Sequence, residues 1–115
     1  MEGESSAPRS ASPARWVVAA TPEELLPGHV LDITAATLRF ALFNVNGKIL
    51  AVDSQCPHKQ GPLAGGRVTG TVVTCPLHSW KFDLESGESV NHPGARVRTY
   101  AVRVGEGKIE VLLPV

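Results

Sequence analysis

The sequence predicts an all-β protein, a small antiparallel sandwich or barrel. Its apolar residues come in short runs, turn chemistry separates those runs, and no long stretch has helical spacing. Nine prolines and eleven glycines punctuate the 115 residues. Trp16 to Ala20 reads as the first strand. Thr21-Pro22-Glu23-Glu24 then places an N-cap, an N1 proline and first-turn acids ahead of Leu25-Leu26, enough for one helical turn at most. His29 to Ile33 and Thr37 to Val45 read as strands, the second with Leu38, Phe40 and Leu42 on one face. Asn46-Gly47 supplies the two positive φ angles of a type I′ turn and joins that strand to Lys48 to Val52. Thr71 to Thr74, Trp80 to Asp83, Val97 to Val104 and Lys108 to Leu113 complete the set, with Glu85 to Glu88 and Gly105 to Gly107 as turns. Arg96 and Arg98 share a face with Tyr100, Val102 and Val104, and this slip in alternation predicts a bulge. No repeat of fixed period is present.

Length and composition bound the rest. A chain of 12.2 kDa is one domain's worth, and at this size folding buries roughly 60 to 70% of the unfolded surface. Residues 1 to 15 hold Met1 as their only large apolar side chain, too little burial to offset ordering entropy, so 1–15 is expected to be a disordered tail and 16–115 the folded domain. Eleven Lys and Arg balance eleven Asp and Glu, which removes the positive field of a general nucleic-acid binder. The longest apolar run is the five residues from Trp16 to Ala20, against the roughly 20 of a spanning helix, so no membrane segment is expected. The N-terminus lacks the apolar core of a secretory signal, and the expected compartment is the reducing cytoplasm.

Both cysteines lie in matching surroundings, Cys56-Pro57-His58 and Cys75-Pro76-Leu77-His78, with sixteen residues between His58 and Cys75. Each pair follows a predicted strand, so both are expected on loops at one end of the β structure. Several readings of the four side chains stand. They could be two structural cysteines with unrelated histidines, or a disulfide, although a reducing compartment disfavours the latter. They could hold zinc tetrahedrally in a binding module whose loops recognise a partner. Or they could divide two thiolates and two imidazoles between the irons of a 2Fe-2S centre.

The stretch from Cys56 to Gly87, CPHKQGPLAGGRVTGTVVTCPLHSWKFDLESG, resembles the cluster-binding region of the Rieske ferredoxin family, whose pattern is Cys-x-His, a spacer, then Cys-x-x-His. The resemblance implies a Rieske-type β fold and one 2Fe-2S cluster. Cys56 and Cys75 would bind the inner iron, and His58 and His78 the outer one, with the imidazoles toward the surface. Charge explains the ligand set. Two ferric irons and two sulfides sum to plus two, so four thiolates would leave minus two, whereas two thiolates and two neutral imidazoles leave zero. A neutral centre takes an electron more easily, hence potentials of about −150 to +300 mV against roughly −400 mV for all-thiolate plant-type ferredoxins. High-potential relatives add a disulfide between the loops and a Ser hydroxyl on a bridging sulfide; the corresponding positions here are Gly61, Leu77 and Trp80. The expected potential is therefore low.

Pro57 and Pro76 restrict φ beside each Cys, and Gly61, Gly65 and Gly66 permit close backbone approach. Pro93, in Asn91-His92-Pro93-Gly94, resembles the family's third loop over the cluster. Trp80 is read as packing beneath loop two, and His29 and His92 as surface histidines, His92 being near the site. Lys59, Lys81, Arg96 and Arg98 are read as solvated surface that could also dock a partner. No acid, base or nucleophile is arranged beside the four ligands, which implies an electron carrier rather than a self-sufficient enzyme. Its expected partners are a flavin-containing, NAD(P)H-linked reductase as donor and a reductase or oxygenase as acceptor. The wording CPHKxGPL, VxCPLHxWKFDLESG and RVRTYAVRV is most similar to the small subunit of NAD(P)H-dependent nitrite reductase, in members that keep all four ligands. The ferredoxin component of ring-hydroxylating dioxygenases is the next most similar group, although it more often has a small residue at the position of Trp80.

Overall fold

The structure is a computed structural model that describes residues 14–35, 38–55, 62–76 and 79–114. Among the described residues ten strands follow in order: β1 (Arg15–Ala20), β2 (Val30–Ala35), β3 (Leu38–Val45), β4 (Lys48–Asp53), β5 (Arg67–Thr69), β6 (Val72–Thr74), β7 (Lys81–Asp83), β8 (Thr99–Tyr100), β9 (Val102–Gly105) and β10 (Lys108–Leu113). Among the described residues, helix is confined to two 3-10 turns, Pro22–Glu24 and Leu63–Gly65. No helix among these residues is long and apolar enough to cross a membrane.

The strands form three antiparallel sheets: β2-β3-β4-β8, β9-β10-β1 and β5-β6-β7. β3 explains how they stack. Its residues from Phe40 to Asn44 are all buried, so both of its faces are covered. Phe40 and Leu42, with Ala51 of β4, pack on Ile109, Val111 and Leu113 of β10. Ala41 and Phe43, with Val52, pack on Val73, Cys75 and Phe82 at the other face. The four-stranded sheet thus lies between the two three-stranded ones. Each of the Val, Leu, Ile and Phe side chains among them contributes roughly 1.5 to 3 kcal/mol on burial.

Turn chemistry sets the registers. Asn46 and Gly47 adopt φ of 53° and 94°, and Val45 pairs with Lys48 across the tight turn. Glu106 and Gly107 repeat the device at φ of 54° and 73° between β9 and β10. At the first 3-10 turn the Thr21 amide donates to Glu24 Oε1 at 2.9 Å. The exposed face of the β9-β10-β1 sheet is tied by Arg103, which donates to Glu110 at 2.7 Å and lies 4.2 Å from the Trp16 ring centroid.

Two expectations change. The slip in alternation near Arg98 is not a bulge: the segment breaks at Ala101 and switches sheets, β8 pairing with β4 and β9 with β10. The register shift falls instead between Ile109 and Glu110, opposite β1. In addition, β5 forms where the sequence suggested only loop, because Arg67, Val68 and Thr69 pair with Thr74, Val73 and Val72.

Candidate metal centre

Two loop necks come together at one end of the β5-β6-β7 sheet. The first leaves β4: the Ser54 carbonyl accepts the Leu63 amide at 2.9 Å, and Gln55 bridges Pro62. These contacts bring residues 54–55 against 62–63, and Leu63 is fully buried. The second neck leaves β6: the Cys75 amide donates to the Trp80 carbonyl at 2.7 Å. Register joins the two, since Arg67 of β5 lies opposite Thr74, the residue before Cys75. The approach is close enough that a Cβ on Gly66 would sit 2.3 Å from the Thr74 carbonyl oxygen, so only glycine fits there.

Of the four expected ligands, the structure describes Cys75; Cys56, His58 and His78 lie outside the described residues, as do Pro57, Lys59, Gly61 and Leu77. Cys75 is buried beside Leu63, Val73 and Phe82, the setting of an inner, water-excluded thiolate ligand rather than an exposed reactive one. Ser54, two residues before Cys56, is also buried, and its hydroxyl has no hydrogen-bond partner among the described residues. Such a group costs about 1 to 3 kcal/mol unless something accepts its proton. A soft-acceptor sulfur group at the loop-one neck suits it, and two thiolates with two imidazoles suit a diiron centre. The residues fit the cluster.

A third segment, 89–95, lies against loop two. Val90 donates to the Lys81 carbonyl at 3.0 Å, and Ala95 closes a turn onto His92 at 3.1 Å with Gly94 at φ 90°, the Pro-Gly signature of a type II turn. Pro93 is exposed on this turn. His92 is not the plain surface histidine expected. Its ring stacks on the Trp80 indole with centroids 3.8 Å apart and planes 15° off parallel. His29 is exposed, as expected. Arg98 is exposed and paired with Asp53 at 3.7 Å, Arg96 is exposed, and half-buried Lys81 reaches Thr74 Oγ1 at 3.4 Å.

Sequence reasoning missed Asp53 and Asn91. Asp53, at the end of β4, takes the Arg98 amide at 2.8 Å and the Tyr100 hydroxyl at 2.6 Å. Burial first, and the Asp53 hydrogen bond second, push the Tyr100 phenol up to about 12. Ser89-Val90-Asn91 carries turn-type polar residues whose side chains bond backbone, and that composition was the available signal.

An antiparallel β domain with two converging loop necks, a buried thiol at one and a Cys-His pair in the sequence of each, defines a small metalloprotein. The chain belongs to the Rieske family: the profile of the Rieske [2Fe-2S] domain matches residues 15–101. It is 32% identical over 91 residues to the ferredoxin component of the naphthalene 1,2-dioxygenase system of Pseudomonas putida, covering 78% of this chain and 88% of that one. Among solved structures, one assigned as an NADH-dependent nitrite reductase small subunit from Mycobacterium tuberculosis superposes with a TM-score of 0.81 at 26% identity, over 89% of this chain and 97% of that one. The ferredoxin of carbazole 1,9a-dioxygenase from Nocardioides aromaticivorans gives 0.77 at 26% identity, over 84% and 95%. The protein is a Rieske electron-transfer protein with one 2Fe-2S cluster. The family decides between the iron–sulfur and zinc readings in favour of the cluster.

Proposed function

We propose that Cys56 and Cys75 bind the inner iron, that His58 and His78 bind the outer one, and that the chain carries single electrons in NAD(P)H-linked nitrite reduction. The juxtaposed necks, with Cys75 buried at one of them, are the observation that supports the ligand assignment. Bound there, the cluster supplies a one-electron store whose oxidised form and ligands together carry no net charge. Cys75 holds its side chain away from water, and burial of that donor keeps charge changes in a low-dielectric setting. The donor is a flavin-containing, NAD(P)H-linked reductase and the acceptor a siroheme-type nitrite reductase. Both would meet the chain transiently through a small face at the loop end. The reading is set in the cytoplasm, where thiols stay reduced, and involves neither membrane nor nucleic acid.

The nitrite assignment is supported by the likeness to the Mycobacterium structure and by the loop wording around Trp80. A second reading, the ferredoxin component of an aromatic-ring dioxygenase, is favoured by the identity to the naphthalene system. Stopped-flow reoxidation of the reduced protein separates them. Fast return of colour with a siroheme reductase and nitrite supports the first reading. Fast return only with a Rieske oxygenase and its aromatic substrate replaces it with the second. For the ligands, His58→Ala and His78→Ala should abolish or alter the visible spectrum of the cluster. An unchanged spectrum in both variants overturns the assignment.

A further inference from the structure

Loop two is held from outside by one amide and one ring. Asn91 Nδ2 donates to the Ser79 carbonyl at 3.2 Å while its Oδ1 accepts the Lys81 amide at 3.0 Å, so a single side chain brackets Trp80. Ser89 Oγ fixes that amide: it donates to Asn91 Oδ1 at 3.2 Å and accepts the Asn91 and His92 backbone N–H groups at 3.3 and 3.0 Å. His92 lies flat on the indole between these contacts. The Trp80 carbonyl in turn receives the Cys75 amide, which places the last link of the chain on a ligand. Ser79 sits at φ 58°, a left-handed conformation uncommon for a residue other than glycine.

Resting on the ligand assignment above, we infer that Asn91 and His92 are positioning residues of the cluster. Their contacts with Ser79, Trp80 and Lys81 fix the neck from which Cys75 and His78 act. They act through the backbone of loop two. A contact network that served stability alone would lower the thermal midpoint and leave the electronic signature of the cluster untouched. A positioning device changes that signature and the rate at which iron is lost.

The experiment compares the cluster-loaded protein with Asn91→Ala, Asn91→Asp, His92→Ala and His92→Phe. It reads the rate of iron release to a chelator, the electron paramagnetic resonance of the reduced cluster, and the thermal midpoint. Asn91→Ala should release iron about ten- to a hundredfold faster, the usual span for losing an outer-shell partner, with shifted g-values. Asn91→Asp keeps the acceptor for Lys81 and loses the donor to Ser79, so it should fall between. His92→Phe should recover what His92→Ala loses, because a flat ring again covers Trp80. Unchanged release rates and g-values in both alanine variants overturn the inference. So does release that merely follows the thermal midpoint with an unshifted resonance. A wild-type protein that holds no 2Fe-2S cluster, or whose spectrum survives Cys75→Ala, would instead overturn the ligand assignment beneath it.

Discussion

Tyr100 donates its hydroxyl to Asp53 Oδ1 at 2.6 Å, and so binds the last residue of β4, three positions before Cys56, to the short strand β8. The other carboxylate oxygen of Asp53 takes the Arg98 amide at 2.8 Å. The approach to loop one is therefore fixed by a half-buried phenol and a backbone donor rather than by local turn chemistry.

Tyr100 is the only tyrosine in the chain, so its ionisation can be read without overlap. The phenol should titrate near 12, with the shift caused first by burial and then by Asp53. The folded value lies above the ordinary tyrosine value of 10.0, so the folded state binds the proton more tightly than the unfolded one. The stabilisation is complete below the unfolded value and is lost as pH rises through the folded one. Near-ultraviolet phenolate absorbance, with thermal midpoints measured across that window, checks both claims. Ionisation at the ordinary tyrosine pH would refute them. Tyr100→Phe should cost about 1 kcal/mol, the worth of one hydrogen bond.

Gly66→Ala should separate the loop necks. Its Cβ would meet the Thr74 carbonyl at 2.3 Å, and relieving that contact must move backbone next to Cys75. A loss of about 1 to 3 kcal/mol is expected, with reduced cluster content. Gly65→Ala is the control, because its nearest neighbour would be the Pro62 side chain at 3.9 Å. It should stay within about 0.5 kcal/mol of wild type. Denaturant midpoints and iron content on the pair give the answer.

Asn44 is buried with its amide spent on two elements. It donates to the Leu25 carbonyl at 2.8 Å and accepts the Gly47 amide at 2.7 Å. Asn44→Ala leaves both backbone groups without that partner and should cost about 2 to 3 kcal/mol by the same measure. Chemical denaturation should show a lower midpoint with an unchanged slope.

Much of this fold is legible in local sequence. The β3–β4 hairpin follows from Asn46-Gly47, and β10 from the alternation of Ile109, Val111 and Leu113. The two Cys-His pairs stand out in the sequence, and their resemblance to the Rieske pattern is what points to a cluster. What escapes is whatever depends on a distant partner. β5 has Val68 as its only large apolar residue and exists because β6 is there to pair with it. The slip in alternation around Arg98 is visible in the sequence, but its cause is a change of sheet, which only the tertiary arrangement reveals. The strap on Trp80 joins residues from separate loops through side-chain amides, a contact that leaves no periodic trace.

The potential should lie at the low end of the Rieske span, on the order of −150 mV. Trp80 stands where high-potential relatives have a hydroxyl donor, and its ring is engaged with His92. Fewer donors to the sulfides mean less stabilisation of the added electron. A spectroelectrochemical titration with a clearly positive midpoint would refute this.

The crossing at Ala101 couples the outer sheet to the redox end. Thr99 and Tyr100 are zipped to β4 while Val102 to Gly105 are zipped to β10, and the Leu112 amide donates to the Ala101 carbonyl at 3.0 Å between them. Neither layer can peel away without dragging on the other through this one ribbon. Amide protons in β4 and β10 should therefore exchange with solvent as a single cooperative unit, and the strand that feeds Cys56 inherits the rigidity of the far side of the molecule.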